Sequence, residues 1–293
     1  MDNSPANDSP ADASPDKPGA ASDNKDTGTF RKPVQGRDPW ASLQRHTAAR
    51  IALGRAGASQ RTVSVLDFRL AHARARDAVH ASLDFPALAC RFAQNNLAAE
   101  LLATPVPDKA GYLLRPDLGR RLAAASRERL RDLAARWGRR DLAIIISDGL
   151  AAQAVARHAV ETVTRLVALL DAGGWTIYPL LLVPFGRVKL QDEIGHLLNA
   201  RHSLMLLGER PGLASPDSLG AYFTHNPRPA CTDADRNCVS NIRPAGLPPA
   251  IAAAKLAALL AESARRGISG VALKDSGNSF FPEPNQSISH SKI

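Results

Sequence analysis

The spacing of apolar residues divides the chain into two parts of different character. From Trp40 to about Trp137, apolar residues recur at three- and four-residue intervals, as on one face of an α-helix. After Arg140 the pattern changes to short continuous apolar runs, which are typical of strands buried on both faces. The chain is therefore predicted to begin with a helical region, interrupted by a short extended piece at Tyr112–Gly119, and to continue as a sheet.

Three apolar runs in the second part predict strands separated by helices. The run that ends at Ser147 is followed by a helical segment closed by two glycines, and strands are predicted again at Trp175–Val183 and His202–Gly208. Short links between alternating strands and helices indicate an α/β fold with a doubly wound parallel sheet. A later Ala- and Leu-rich helix, Pro248–Gly267, is expected to pack on one face of this sheet.

The two ends of the chain have a different composition. No Leu, Ile or Val precedes Val34, whereas Asp, Ser, Pro and Ala are abundant, so this segment has too little apolar surface to offset the entropy cost of ordering it. We predict a disordered tail at residues 1–36, a helical N-terminal region at 37–139, a doubly wound domain at 140–275 and a disordered extension at 276–293.

The charge of the chain is unevenly distributed. The formal net charge is +9, and residues 1–28 carry −4, which leaves +13 for the rest. Such a basic body can attract nucleic acid, an acidic protein surface or a phosphate-bearing ligand. The arginines are scattered over predicted helix faces and aromatic residues make up only 5% of the chain. This pattern favours solvated helix faces over a nucleic-acid platform, so a polynucleotide-binding protein is the less favoured alternative.

The composition also indicates the compartment. The longest apolar run, Trp175–Phe185, contains a proline and is too short to span a bilayer, so no membrane segment is expected. The N-terminus is polar and resembles no secretory signal. The three cysteines cannot all pair within one chain, which suggests free thiols in a reducing cytoplasm.

Ligands of doubly wound sheets bind beyond the carboxyl ends of the strands. Three loops leave those ends, at 147–153, 184–190 and 208–220, and a polar segment at 233–246 is expected to return nearby. The first loop has one glycine and thus lacks the G-x-G-x-x-G of dinucleotide sites, and the chain has neither a P-loop nor a G-x-S-x-G motif. A stand-alone nucleotide-binding enzyme is therefore disfavoured, and we assign no catalytic residue and no metal ligand.

Three residues on these segments are considered as ligand contacts, and for each of them a purely structural role is the alternative. Glu209 stands where an apolar strand meets a turn, so its carboxylate can accept hydrogen bonds from ligand amides or form an ion pair with Arg210 that fixes the turn. Val188 by itself indicates only an apolar contact at the start of a helix. Cys238 by itself indicates a small buried apolar residue.

Eight short motifs follow one another between residues 49 and 275. They are ARIALGRAG at 49–57, LAHARARDAV at 70–79, YLLRPDLGRRL at 112–122, ISDGLAAQAV at 146–155, GRVKLQDEIG at 186–195, LGERPGLASPDSLGAY at 207–222, DADRNCVSNIRPAGLPP at 233–249 and RGISGVALKD at 266–275. Together they resemble the small chain of ethanolamine ammonia-lyase. The GERPGL and SPDSLG segments combined with RNCVSNI are specific, and the resemblance covers essentially the whole folded body.

The resemblance implies a cofactor and a partner. It implies that residues 140–275 form a Rossmann-like cobalamin-binding domain of a heteromer, typically of six large and six small chains. That enzyme converts ethanolamine to acetaldehyde and ammonia by radical chemistry with adenosylcobalamin, either in the cytoplasm or inside a bacterial microcompartment. In this family the large chain is a β/α barrel that holds the substrate and performs the chemistry, and the cobalamin lies between the two chains.

The resemblance also implies roles for individual residues. It implies that Val188, Glu209 and Cys238 contact the cobalamin and that none of them ligates cobalt. The chain has no D-x-H-x-x-G motif, which fits the base-on binding of this family, in which the cofactor keeps its own lower base. Three basic residues are expected to contact either the nucleotide-loop phosphate of the cofactor or the large chain, namely Arg187, Lys189 and Arg210.

Overall fold

The computed structural model describes residues 38, 40–47 and 49–275. The predicted tails at 1–36 and 276–293 therefore lie outside the described residues. The helices are α1 (Thr62–His80), α2 (Phe85–Ala93), α3 (Lys109–Leu114), α4 (Ala124–Trp137), α5 (Ala152–Ala172), α6 (Leu190–Leu197) and α7 (Pro249–Arg266). The strands are β1 (Arg55–Ala56), β2 (Ser59–Gln60), β3 (Ala99–Leu101), β4 (Leu142–Ser147), β5 (Leu180–Leu182), β6 (His202–Gly208), β7 (Leu219–His225) and β8 (Arg236–Ile242).

Strands β3 to β8 form one six-stranded sheet in the order β3-β5-β4-β6-β7-β8. The first four strands in this order run parallel, whereas β7 is antiparallel to both β6 and β8. Every residue of β4 and β6 is buried, as continuous apolar runs predict. The α/β class with a mostly parallel sheet is therefore confirmed. The antiparallel strands β7 and β8, which extend one edge of the sheet, were not predicted.

Helices cover both faces of this sheet, and each strand supplies alternate residues to the two faces. Ile144 and Ile146 of β4 belong to the core that α5 and α7 cover, whereas Ile145 belongs to the core beneath α4 and α6. The predicted Ala- and Leu-rich helix is α7, and it ends at Arg266, where Gly267 caps it with a positive φ of 67°. Among the helices that the structure describes, none is long and apolar enough to cross a bilayer.

The N-terminal region departs from its predicted helical pattern at the short antiparallel pair of β1 and β2 and at two later places. After α2, Asn96 adopts a positive φ of 58°, and Ala99–Leu101 pairs with β5 as the edge strand β3. The piece Tyr112–Gly119, expected to be extended, instead begins within α3. This helix forms because the Asp108 carboxylate accepts a hydrogen bond from the Gly111 N–H at 2.7 Å and caps its first turn. The pairing of β3 with β5 joins distant parts of the chain, which local periodicity cannot reveal.

The order of the parallel strands creates a crevice between β4 and β6. The chain passes from β4 through α5 to β5 on one side, and then through α6 to β6 on the other side of β4. Ligands of open α/β sheets bind at such a point, beyond the carboxyl ends of the strands. The two backbones approach closely here, since a Cβ on Gly149 would lie 2.3 Å from the carbonyl oxygen of Gly208. The loops that follow β4 and β6 are thereby held against each other.

Two histidines, the buried His202 and the half-buried His225, lie in contact at the opposite end of β6. The Nε2 atom of His202 is 3.1 Å from the Ser263 hydroxyl and 3.1 Å from Nδ1 of His225, and the ring of His202 packs against Trp175. Burial, together with the nearby His225 and Arg201, lowers the pKa of His202 from 6.5 to about 3. The folded protein therefore holds this imidazole neutral.

This shift predicts a specific acid sensitivity. The unfolded chain takes up the His202 proton near pH 6.5, whereas the folded chain resists it until about pH 3. We therefore expect this residue alone to reduce the free energy of unfolding by about 1.4 kcal/mol per pH unit as the pH falls through that window. Urea unfolding at pH 7, 6 and 5 should show a shallower pH slope for His202→Gln than for the wild type. Equal slopes would show that His202 is not held neutral.

Candidate functional site

Asp148 organises the loops at the carboxyl edge of the sheet. Its Oδ1 atom accepts the Phe185 N–H at 2.7 Å and the Ser147 hydroxyl at 3.2 Å, so the loop after β4 is tied to the loop after β5. Lys109 donates from Nζ to the Gly149 carbonyl oxygen at 2.8 Å. Burial raises the pKa of the Asp148 carboxyl and lowers the pKa of Lys109, because each charged form is poorly solvated there. These contacts hold α3 and the loops after β4 and β5 together.

Arg187 joins the N-terminal region to this edge. Its guanidinium lies 4.0 Å from the ring centroid of Tyr112 and donates to the Tyr112 carbonyl oxygen at 2.5 Å. Its backbone N–H donates to the Gly119 carbonyl oxygen at 2.8 Å, and a Cβ on Gly119 would lie 2.6 Å from the oxygen of Phe185. The Nε atom of Arg187 is buried and has no hydrogen-bond partner among the described residues.

Glu209 follows β6 at the crevice. Its Oε2 atom accepts the Ser218 hydroxyl at 2.5 Å and the Asn241 N–H at 3.2 Å, which links it to the loop before β7 and to β8. Within the described part of the chain it makes no ion pair with Arg210, so the alternative of a local ion pair that fixes the turn is wrong. Its second oxygen, Oε1, accepts no hydrogen bond from the described residues.

Two adjoining cavities bring the three candidate residues together. The larger, of about 660 Å³, is lined by Val188 and Cys238, and the smaller, of about 380 Å³, is lined by Val188 and Glu209. Both cavities also share Arg187 and Tyr222 as lining residues. Val188, Glu209 and Cys238 therefore lie on one continuous, two-lobed surface, although 50 residues separate the first from the last.

Cys238 faces this surface from the open side of β8. It pairs in register with Tyr222 of β7, and the Tyr222 hydroxyl donates to its sulfur. Cys238 is exposed, so the alternative of a buried apolar residue is wrong. Neighbouring atoms nevertheless cover its thiol in part, and this loss of solvation raises the pKa of the thiol as well as that of Tyr222. Both groups thus present neutral, weakly polar atoms to the larger cavity.

The basic residues of the site divide into two groups. Lys189 donates to the carbonyl oxygens of Pro229 and Cys231 and lies 2.9 Å from the Asp192 carboxylate, so it holds the loop before β8 in place. Arg236 is also committed internally, because it forms a buried ion pair with Asp192 at 2.9 Å.

The second group of basic residues also lines the cavities, as Lys189 and Arg236 do, but forms no ion pair with another described residue. Arg120 is exposed at the larger cavity, Arg210 is exposed at the smaller one, and Arg187 lines both. Of the three basic residues singled out from the sequence, Arg210 is exposed and makes no ion pair within the described part of the chain. Arg187 lines both cavities while its guanidinium also holds Tyr112, and Lys189 is bound to the loop before β8.

Sequence reasoning missed several residues that line the cavities. Tyr222, Cys231 and Arg120 line the larger one, and Tyr112 lines the smaller one. Tyr222 could have been found, because the aromatic-rich run LGAYFTH at 219–225 has the composition of a strand. The register that places Tyr222 opposite Cys238 could not have been found, because it depends on the bulge between β7 and β8.

Comparison with known proteins identifies similar chains over nearly all of the described residues. Residues 37–274 match the family model described as ethanolamine ammonia-lyase light chain (EutC). A protein of Azotobacter vinelandii is 54% identical over 239 residues, which cover 81% of this chain and 88% of the relative. One of Pseudomonas syringae is 50% identical over 255 residues, covering 87% and 89%. One of Pseudomonas aeruginosa is 52% identical over 239 residues, covering 81% and 88%. All three relatives are named ethanolamine ammonia-lyase small subunit.

Proposed function

Since the chain belongs to the ethanolamine ammonia-lyase light-chain family, we propose that it forms one wall of an adenosylcobalamin site whose other wall is the large subunit of the enzyme. The observation that carries this proposal is the two-lobed cavity at the carboxyl edge of the sheet. Val188, Glu209 and Cys238 come from three separate elements and converge on that surface. Both lobes of the cavity are open to solvent, as expected of a site that a second chain completes.

The residues present fit such a cofactor. The free Oε1 atom of Glu209 is an acceptor for the amide side chains of a corrin ring, and Val188 and Tyr222 offer apolar contact to its edge. The guanidinium of Arg187, which lines both cavities, and that of Arg120 on the larger one suit the phosphate of the nucleotide loop. No histidine lines either cavity in the described part of the chain, which supports base-on binding, with the cofactor retaining its own lower base.

The side chains that line the cavity support separate roles for the two chains of the enzyme. When bound, adenosylcobalamin supplies the radical chemistry that turns ethanolamine into acetaldehyde and ammonia. The cavity residues of this chain bind and orient the cofactor and exclude water from one of its sides, and none of them forms a nucleophile–base pair. We therefore assign substrate binding and the reaction to the large subunit, in an assembly of six large and six small chains. This assembly works in the cytoplasm or within a bacterial microcompartment.

Replacing Glu209 with glutamine tests the cofactor contact. The variant keeps the shape of the side chain and removes its charge, so the hydrogen bonds from cobalamin amides lose their charge assistance. We expect cobalamin affinity of the two-chain complex to fall about tenfold, which corresponds to about 1.4 kcal/mol. The measurement is an equilibrium titration that follows the cobalamin absorbance.

The control is a Glu-to-Gln substitution at an exposed position outside both cavities. Glu128→Gln changes the same residue type on the exposed side of α4, away from both cavities, and should leave the affinity unchanged. Size analysis should show that both variants assemble with the large subunit as the wild type does. Equal cobalamin affinities for wild type and Glu209→Gln would remove Glu209 from the site. Failure of the wild-type complex to bind cobalamin would overturn the proposed function.

A further inference from the structure

Exposed apolar residues are concentrated in one short part of the chain. Fifteen large apolar side chains are exposed among the described residues, and eight of them lie between residues 40 and 70. Scattered exposed apolar residues are normal on a protein surface, whereas a contiguous patch indicates a contact with another molecule. Seven of these eight form what we call the N-terminal apolar surface: Trp40, Leu43, Ile51, Leu53, Val63, Leu66 and Leu70.

Helix α1 carries one half of this surface. Only Ala71 and Ala78 of its 19 residues are buried, so the helix has little hold on the rest of the protein. Val63, Leu66 and Leu70 are spaced at i, i+3 and i+7 and therefore lie along one side of the helix, with exposures of 69%, 56% and 51%. This is the spacing of anchor residues on a helix that lies in the groove of a partner.

The segment before α1 carries the other half. Trp40, Leu43, Ile51 and Leu53 line a shallow apolar cavity of about 480 Å³. The Gln44 side-chain amide donates to the carbonyl oxygens of Ile51 and Ala52 at 3.0 Å each, which fixes the shape of this cavity. Arg50 donates to the Asp67 carbonyl oxygen at 3.2 Å and so ties the segment to α1. This hydrogen bond joins the two halves, of which the segment before α1 forms a shaped apolar hollow and α1 an exposed apolar ridge.

We propose that the N-terminal apolar surface is a docking site for the large subunit, separate from the cobalamin cavity. This inference rests on the proposed function for the existence of that partner, which the name small subunit of the relatives also implies. Residues 50–80 carry six arginines and two aspartates, a net charge of +4 with histidines neutral. The partner surface therefore has an apolar groove to receive Leu66 and Leu70, and a rim rich in Asp and Glu.

The charge and composition of the chain argue against two other occupants. A second copy of this chain would bring two surfaces of net charge +4 together, and like charges oppose such a contact. The N-terminal tail is acidic, but residues 1–37 contain only Met1, Phe30 and Val34 as large apolar residues. That is too few to cover seven exposed apolar side chains.

The test is the affinity between the two chains for the double variant Leu66→Glu/Leu70→Glu. Both side chains are exposed, so the variant should fold and unfold as the wild type does. We expect the dissociation constant for the large subunit to rise by at least about a hundredfold, because two carboxylates would have to enter an apolar groove. At large-subunit concentrations that saturate binding, cobalamin affinity should remain that of the wild type. The control is Leu169→Glu on α5, where a leucine of similar exposure, 47%, lies outside the surface.

The outcomes separate this inference from the proposed function. Normal association of the double variant, with a wild type that binds both the large subunit and cobalamin, would overturn the docking site and leave the proposed function intact. A wild type that does not associate with the large subunit would overturn both. Self-association of the isolated chain that the double variant abolishes would show a second copy as the occupant. Association that weakens only when residues 1–36 or 276–293 are deleted would assign the contact to the tails instead.

Discussion

Replacing Arg236 with methionine is expected to lower the free energy of unfolding by about 3 kcal/mol. The exposed fractions of the Arg236 and Asp192 side chains are 3% and 1%, and Arg236 donates to both carboxylate oxygens of Asp192. Removing one partner of a buried ion pair leaves the other charge without compensation. The loss should fall at the low end of the range for such pairs, because Lys189 still contacts Asp192.

A double-mutant cycle checks this prediction. Asp192→Asn removes the charge that Arg236 compensates, so Asp192→Asn should cost less in the Arg236→Met background than in the wild type. Urea unfolding of the four proteins gives the coupling free energy directly. Additive effects of the two substitutions would contradict the account, because they would mean that the pair does not hold α6 against β8. The cycle requires no ligand. It tests only the ion pair that joins α6 to β8 beside the larger cavity.

Replacing Cys238 with tryptophan is expected to abolish tight cobalamin binding while leaving the fold intact. Cys238 is exposed on the open face of β8 and lines the larger cavity, so an indole there would fill space without crowding the core. We expect the affinity of the two-chain complex to fall at least about a hundredfold, or about 2.8 kcal/mol. The measurement is the same absorbance titration.

Two controls separate the blocking of space from the chemistry of the thiol. Cys238→Ala keeps the cavity open and should leave the affinity within about threefold, because neutral, weakly polar contacts contribute little individually. Cys90→Trp introduces the same side chain at an exposed cysteine of α2, outside both cavities, and should have no effect. Equal binding by Cys238→Trp and the wild type would show that the cofactor does not occupy this lobe.

The buried parallel strands and the helices that connect them could be predicted from the sequence. Ile144, Ile145 and Ile146 form a continuous apolar run because β4 is covered on both faces, and the buried run at β6 has the same cause. Glycines at the end of α5 and the proline at the start of α7 marked those helices correctly. The carboxyl edge of the parallel strands followed from this order, and with it the neighbourhood of Val188 and Glu209.

The remainder depends on contacts between distant parts of the chain. Strand β3 is three residues long and forms because Leu180–Leu182 is available to pair with it. The antiparallel pair β7 and β8 carries Tyr222 and Cys238, and its bulge sets which residues face the cavity. Tyr112 reaches the site only because Arg187 binds its backbone and its ring. The spacing of apolar residues along the chain does not encode these long-range pairings. The residues that they bring to the site can therefore be identified only from the folded structure.

A structure of the two-chain complex with bound cobalamin tests the central claim most directly. We predict a corrin amide within hydrogen-bond distance of Glu209 Oε1, and cofactor atoms in van der Waals contact with Val188 and Cys238. A cobalamin that contacts only the large subunit, with both lobes of this cavity empty, would contradict it.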